Sequence, residues 1–147
     1  MNLFRVLEIS GTALVAERER AEVVTSNLAN AETTHTPKGG PFQRKHVVFG
    51  AESMNQGAFP ATLASFTDLH AQGVRVTGVV PDGTPPVRKF EPGHPDADDQ
   101  GYVSYPAINP VEEMVNLMGA ARAYQLNAAA VQSTKNMIQS SIDIIKS

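Results

Sequence analysis

From Asn109 to Lys146 the chain reads NPVEEMVNLMGAARAYQLNAAAVQSTKNMIQSSIDIIK. Stepping by seven from Met114 gives Met114, Ala121, Ala128, Lys135 and Ile142; stepping from Leu117 gives Leu117, Tyr124, Val131, Ile138 and Ile145. Only Lys135 breaks the apolar run of these two rows. They are the a and d positions of a heptad repeat, and a 3.5-residue period sustained this long predicts a coiled-coil seam. Asn109 is placed as N-cap, Pro110 at N1 and Glu112 at N3, while Lys146 suits the negative end of the helix dipole. A helix from Pro110 to Lys146 is a rod of about 55 Å, too long for a domain this small to wrap.

Working outward, the first segment carries a weaker version of the same pattern. Leu7, Leu14, Ala21 and Leu28 fall at steps of seven, and Leu3, Val24 and Ala31 join them at d. Ser10 and Glu17 occupy d positions and dilute the seam. Two such helices can bury their seams against each other as an antiparallel hairpin, or against other copies.

Between the helices the punctuation changes. All ten Pro and nine of the eleven Gly lie from Pro37 to Pro110. Because these residues break helices, the middle reads as short strands. Phe42–Phe49, Val74–Val80, Val87–Phe90 and Tyr102–Tyr105 are the candidates, with Pro81-Asp82-Gly83 as a turn. Residues 51–73, rich in Ala, Ser, Thr and Gln, are expected to form a mobile loop. The expected class is α+β: an N-terminal helix over 1–36, a small β-rich domain over 37–109, and a C-terminal coiled-coil helix over 110–147.

Composition narrows the function. Among 147 residues the net charge is −3, so the broad basic surface of a nucleic-acid binder is not expected. No apolar run approaches the ~18 residues that span a bilayer, and the first residues lack a basic signal-peptide n-region. Cys is absent, which excludes disulfides and thiolate chemistry. His35, His46, His70 and His94 lack the close spacing to a second ligand that metal sites use. Asp96, Asp98 and Asp99 before Gly101 suggest a calcium loop, but the twelfth position from Asp96 is Ala107 where a bidentate Glu is needed. They read as an acidic turn entering Tyr102. No Ser, His and Asp constellation and no phosphate loop is visible, so neither catalysis nor a cofactor is expected. The outer residues of the last helix are amides and hydroxyls rather than the cations an interfacial membrane helix carries.

Three stretches together resemble a known family. Ile9-Ser10-Gly11-Thr12-Ala13-Leu14 leads into Ser26-Asn27-Leu28-Ala29-Asn30 and Thr33; Glu91-Pro92-Gly93-His94-Pro95 runs on to Gly101-Tyr102-Val103; Val111-Glu112-Glu113-Met114-Val115-Asn116 continues through Ala121 to Asn127. With the Pro41-Phe42-Gln43-Arg44-Lys45 run, these are similar to the rod proteins of the bacterial flagellar basal body, and the short length points to the proximal rod. Residues 51–73 carry no part of the likeness, and Thr34–Gly40 departs from the turn expected after the signature.

The resemblance implies a structural subunit that polymerises into a hollow helical tube and transmits motor torque. Its partners would be further copies, the rod proteins FlgB, FlgF and FlgG, and FliE with the membrane ring at the rod base. The flagellar type III apparatus would export it to the periplasm without a cleaved signal peptide. Neither nucleic acid nor direct membrane insertion is expected. On this reading Leu7, Leu14, Leu28, Leu117, Val131, Ile138, Ile142 and Ile145 form the helix seam. Asn27, Leu28, Ala29 and Asn30 are the signature, with Asn27 and Asn30 pinning the end of the first helix. Gln125, Gln132 and Asn136 contact adjacent subunits. The competing readings are a soluble helical adaptor or export chaperone, and a distal-rod member of the same family.

Overall fold

The computed structural model describes residues 3–53 and 72–146, without the side chains of residues 52, 53, 145 and 146. Helix α1 spans Leu3–Ala29 and helix α2 spans Pro110–Lys146. Between them lie β1 (Lys45–Ser53), β2 (Gln72–Pro81), β3 (Val87–Phe90) and β4 (Tyr102–Tyr105). The class is α+β, with two long terminal helices packed together and a small antiparallel middle region.

Strands pair in two separate hairpins, β1 with β2 and β3 with β4. In the first, Lys45 faces Pro81 and Ser53 faces Gln72, with a bulge between Val48 and Phe49. The ladder therefore takes in Ala51–Ser53 and Gln72–Gly73, which the sequence reading gave to a loop; residues 54–71 of that loop lie outside the described residues. Gly50, expected to end the strand, sits inside it. A Cβ there would stand 2.4 Å from Thr77 Cγ2, so the close cross-strand approach requires glycine. At its start β1 is shorter than expected, because residues 42–44 are held elsewhere: Phe42 N–H donates to Thr33 O, and Arg44 turns its side chain toward α2.

Helix α1 is the centre of the fold. It packs against α2 on one side and against β1 and β2 on another, where Val74 N–H donates to Thr12 Oγ1 at 3.2 Å. At the head of α2, Asn109 Oδ1 accepts from Val111 N–H at 3.0 Å, the capping bond expected of an Asn N-cap. The acidic turn has a comparable logic. Asp98 Oδ1 accepts from the backbone N–H of Gln100 and Tyr102, and Gly101 takes the positive φ of 79° that closes the turn.

The buried apolar core among the described residues is small: Ala16, Val24, Val103 and Ala120. Buried polar side chains match it in number: Ser10, Asn27, Glu113 and Thr134. The most deeply buried positions of the two helices are thus mostly small or polar, with Val24 among them and Leu14, Leu28, Leu117, Val131 and Ile138 half-buried. On α2 the best-covered row is Glu113, Ala120, Asn127 and Thr134, at steps of seven, whereas Met114, Ala121, Lys135 and Ile142 of the expected a row are exposed. Ala16 and Ala120 are 2% and 1% exposed, while Met114, Val115, Met118 and Leu126 of α2 stand exposed.

Candidate assembly site

Asn27 lies in the last turn of α1, which Asn30 closes by donating from Nδ2 to Ser26 O at 2.8 Å. Thr33 Oγ1 donates to Asn30 Oδ1, and the chain turns back through Gly39 and Gly40, with φ of 85° and 71°. The return brings Arg44 and Lys45 alongside Asn27. The Asn27 side chain then reads Lys45 as a neighbouring strand would: Oδ1 accepts from Lys45 N–H, and Nδ2 donates to Lys45 O, both at 2.9 Å. Nδ2 also donates to Glu113 Oε2 at 2.9 Å. With one acceptor and two donors used, the buried amide is satisfied.

Glu113 carries the rest of the junction. Arg44 donates from Nε to Glu113 Oε1 at 3.0 Å and again from Nη2, a bidentate grip on one carboxylate oxygen. Arg44 Nη2 also lies 3.4 Å from Glu112, and Nη1 3.6 Å from Asp82 at the foot of β2. One guanidinium therefore ties α2 to the β1–β2 hairpin, while Asn27 ties both to α1. Glu113 is 1% exposed. Burial alone would raise its pKa, but hydrogen bonds from Asn27 and Arg44, and the charge of Arg44, hold the carboxyl below its ordinary value. For Arg44, burial works against the charge and is outweighed by Glu113, then Glu112 and Asp82, so its pKa is raised. Both groups stay ionised, and the latch is a charge-assisted network with its lone pairs occupied.

Of the residues singled out from sequence, the structure brings together some and leaves others apart. Leu7, Leu14, Leu28, Leu117, Val131 and Ile138 are half-buried. Ile142 is 40% exposed, and the Ile145 side chain lies outside the described residues. Within the signature, Asn27 is buried, Leu28 and Asn30 are half-buried and Ala29 is exposed. Gln125, Gln132 and Asn136 are all exposed, with Gln132 Nε2 donating to Asn136 Oδ1 at 3.0 Å. Sequence reasoning gave no role to Glu113 or Arg44. The signal for Glu113 in the sequence is the adjacent pair Glu112-Glu113 in the first turn of α2: a capping role accounts for Glu112 and leaves the second carboxylate for another partner.

The outer surface of α2 is the second part of the site. Val111, Met114, Val115, Met118 and Leu126 stand 52–71% exposed on one helix. Single exposed apolar residues are ordinary, but this many along a few turns mark a contact surface.

Both terminal motifs have counterparts in known proteins. Residues 7–35 match the family described as "Flagella basal body rod protein", and residues 99–144 match "Flagellar basal body rod FlgEFG protein C-terminal". The flagellar basal-body rod protein FlgC of Borreliella burgdorferi is 36% identical over 99% of both chains. The protein of that name from Escherichia coli O6:H1 is 38% identical over 94% of both, and that from Bacillus subtilis 33% identical over 99% of this chain and all of the other. The chain belongs to the flagellar basal-body rod protein FlgC family. It is a structural rod subunit of the flagellar basal body, which sets aside the adaptor and distal-rod alternatives. In FlgC-family terms, the latch joins the two matched regions to each other through Asn27 and Glu113.

Proposed function

We propose that this subunit polymerises with further copies and other rod proteins into a hollow helical tube in the periplasm, which passes torque from the motor to the distal flagellum. The observation that carries the reading is the reversed polarity of α2: small and polar residues face α1, while Val111, Val115 and Met118 face outward. A free-standing hairpin gains nothing from that arrangement, and a subunit in a tube wall does. On this reading FlgB, FlgF, FlgG, FliE and the membrane ring are its neighbours, and the flagellar type III apparatus exports it without a cleaved leader. It works without catalysis or a cofactor. The two helices form the wall and residues 37–109 the outer module. Leu7, Leu14, Leu28, Leu117, Val131, Ile138, Ile142 and Ile145 line the helix seams, and Gln125, Gln132 and Asn136 hydrogen-bond to adjacent subunits.

The test is a clean deletion scored for swimming, with electron microscopy of the basal bodies that remain. Immotile cells with membrane rings and no rod are expected. Complete basal bodies with normal swimming would overturn the reading. Leu28→Asp and Ile138→Asp are each expected to abolish rod assembly, and normal motility of both would sink the seam assignment.

A further inference from the structure

Residues 87–105, the β3–β4 hairpin with its acidic turn, stand apart from the other elements. Among the described residues, no Cα of β3 or β4 lies within 8 Å of a Cα in α1, α2, β1 or β2. The segment's polar groups are engaged within it: Arg88 with Asp98, Tyr105 with Glu91, and the backbone groups of the turn with one another. Among the described residues one hydrogen bond leaves the segment, from Thr34 Oγ1 to Asp96 Oδ2 at 2.6 Å. Val103, 0% exposed, adds apolar burial that two strands alone do not provide.

Asp96 is itself positioned by His94. The Asp96 N–H donates to His94 Nδ1 at 3.1 Å, and the half-buried ring stands edge-on to Tyr105 at 6.2 Å. A ring nitrogen that accepts is unprotonated; an imidazolium has two donors and no acceptor, so a charged His94 would set N–H against N–H. The charges around it come from several segments. Tyr105 Oη donates to Glu91 Oε2 at 2.8 Å, and that bond, with burial and the charges of Glu91, Glu32 and Asp96, raises the Tyr105 pKa. Lys89 Nζ lies over the Tyr105 ring at 4.6 Å. Glu112 and Arg44, paired with each other, line a cleft with Tyr105, and His35 lines a cavity with Asp96 and Asp98. With three carboxylates near one ammonium, a charged ring is drawn to Asp96, which Thr34 holds, or to Glu91, which Tyr105 holds.

We propose that His94 is a proton-operated pin for this hairpin. Neutral, it fixes the turn so that Asp96 reaches Thr34. Protonated, it releases the Asp96 N–H, competes with Thr34 for the Asp96 carboxylate, and loosens residues 87–105 from the segment that follows α1. The pinned state needs the neutral ring, so it is complete at high pH and is lost as pH falls. The loss is up to about tenfold in the pinned-to-loose ratio for each pH unit once the ring is charged. Glu113 is held ionised below the ordinary carboxylate value, so the helices stay latched while the hairpin loosens.

The test is nuclear magnetic resonance on the full chain between about pH 8 and about pH 5, the range in which histidines change charge. Long-range nitrogen–proton correlation is expected to show His94 at high pH as the tautomer with Nδ1 unprotonated. As His94 titrates, the protection factor of the Asp96 amide is expected to fall by about tenfold or more. Amide relaxation should show residues 87–105 gaining motion as a unit relative to the helices. His94→Asn keeps an acceptor near the place of Nδ1 and cannot take a charge, so its hairpin should stay pinned throughout. A proton on Nδ1 at the high-pH end would overturn the pin, as would an Asp96 amide and hairpin relaxation that do not change with pH. The same step in His94→Asn would overturn it too, and would assign the titration to His35.

Discussion

Replacing Arg44 by Met tests whether the latch holds the chain together. The substitution keeps the aliphatic length and removes the charge, leaving Glu113, 1% exposed, with only Asn27 and a 3.4 Å contact to Asn116 as donors. Removing one partner of a buried ion pair costs about 3–5 kcal/mol, a large share of a typical 5–15 kcal/mol stability. At about 3 °C per kcal/mol for a chain this size, the melting temperature should fall by roughly 10 °C. Glu113→Met should cost less, because Arg44 is 18% exposed and retains Glu112 and Asp82. The double variant should resemble Glu113→Met alone, since no buried charge is left unpaired. The sign of the pH effect follows. In the native chain Glu113 titrates below its unfolded value, so its contribution is present above the ordinary carboxylate pKa and is lost as pH falls through the folded value. In Arg44→Met the Arg44 hydrogen bond and charge are gone while burial still opposes ionisation, so the folded pKa moves up and the variant gains less stability as pH rises. The gap between native and Arg44→Met chains should therefore narrow in acid. The assay is thermal unfolding by far-ultraviolet circular dichroism at neutral and acid pH. Strictly additive single variants, or a gap independent of pH, would refute the reasoning.

Three further expectations come from other sites. Gly50→Ala drives a methyl into Thr77 Cγ2 and forces Thr77 away from its 3.0 Å bond to Val48 O, at a cost of about 1–3 kcal/mol; Thr77→Ser, lacking the methyl, should restore most of the lost melting temperature. Glu17 Oε2 is buried without a hydrogen-bond partner, and Arg20 Nη1 is 3.6 Å from it, so Glu17→Met should stabilise by about 1 kcal/mol in urea unfolding; a loss instead would mean that this carboxylate contributes to the seam. Asn27→Asp sets a second carboxylate against Glu113 and removes two donated bonds, so it should lower the melting temperature more than Asn27→Ala does.

The elements were legible because each is local. Pro and Gly bound the helices, Asn109-Pro110 marks the start of α2, and β3 and β4 fall on the stretches the β-rich runs named. The rotation of α2 was not legible. A heptad reading ranks rows by hydrophobicity, and the Met114 row outranks the Glu113 row; the fold chooses the second, in which Ala120 is buried and the latch fixes Glu113 inward. Nor could sequence show that Arg44 serves α2, since its partner lies 69 positions away. Asn27 is named by the resemblance as pinning the helix end, but its partners are not legible: within its own helix it is an indifferent residue, and its hydrogen bonds exist only once Lys45 and Glu113 arrive.

The seam below the latch has an unusual freedom. Thr134 Oγ1 donates to Ala130 O at 2.9 Å and Asn127 Nδ2 to Ala123 O at 2.9 Å, each within its own helix. These polar groups are satisfied whether or not the other helix is present, and small neighbours offer few interlocking knobs. Register is therefore set at one end, where Asn27 meets Glu113, and weakly maintained toward the other. Opening should follow the same gradient, because local stability tracks the contacts that must be broken. Native-state hydrogen exchange should show slow amides near Val24, Asn27 and Glu113, with exchange rising steadily toward Leu3 and Ile138. Joining a rod would add contacts at the weak end and flatten that gradient, so subunits in basal bodies should protect the far turns as well as the near ones. Uniform protection along both helices of the free chain would mean that the seam, and not the latch, sets the register.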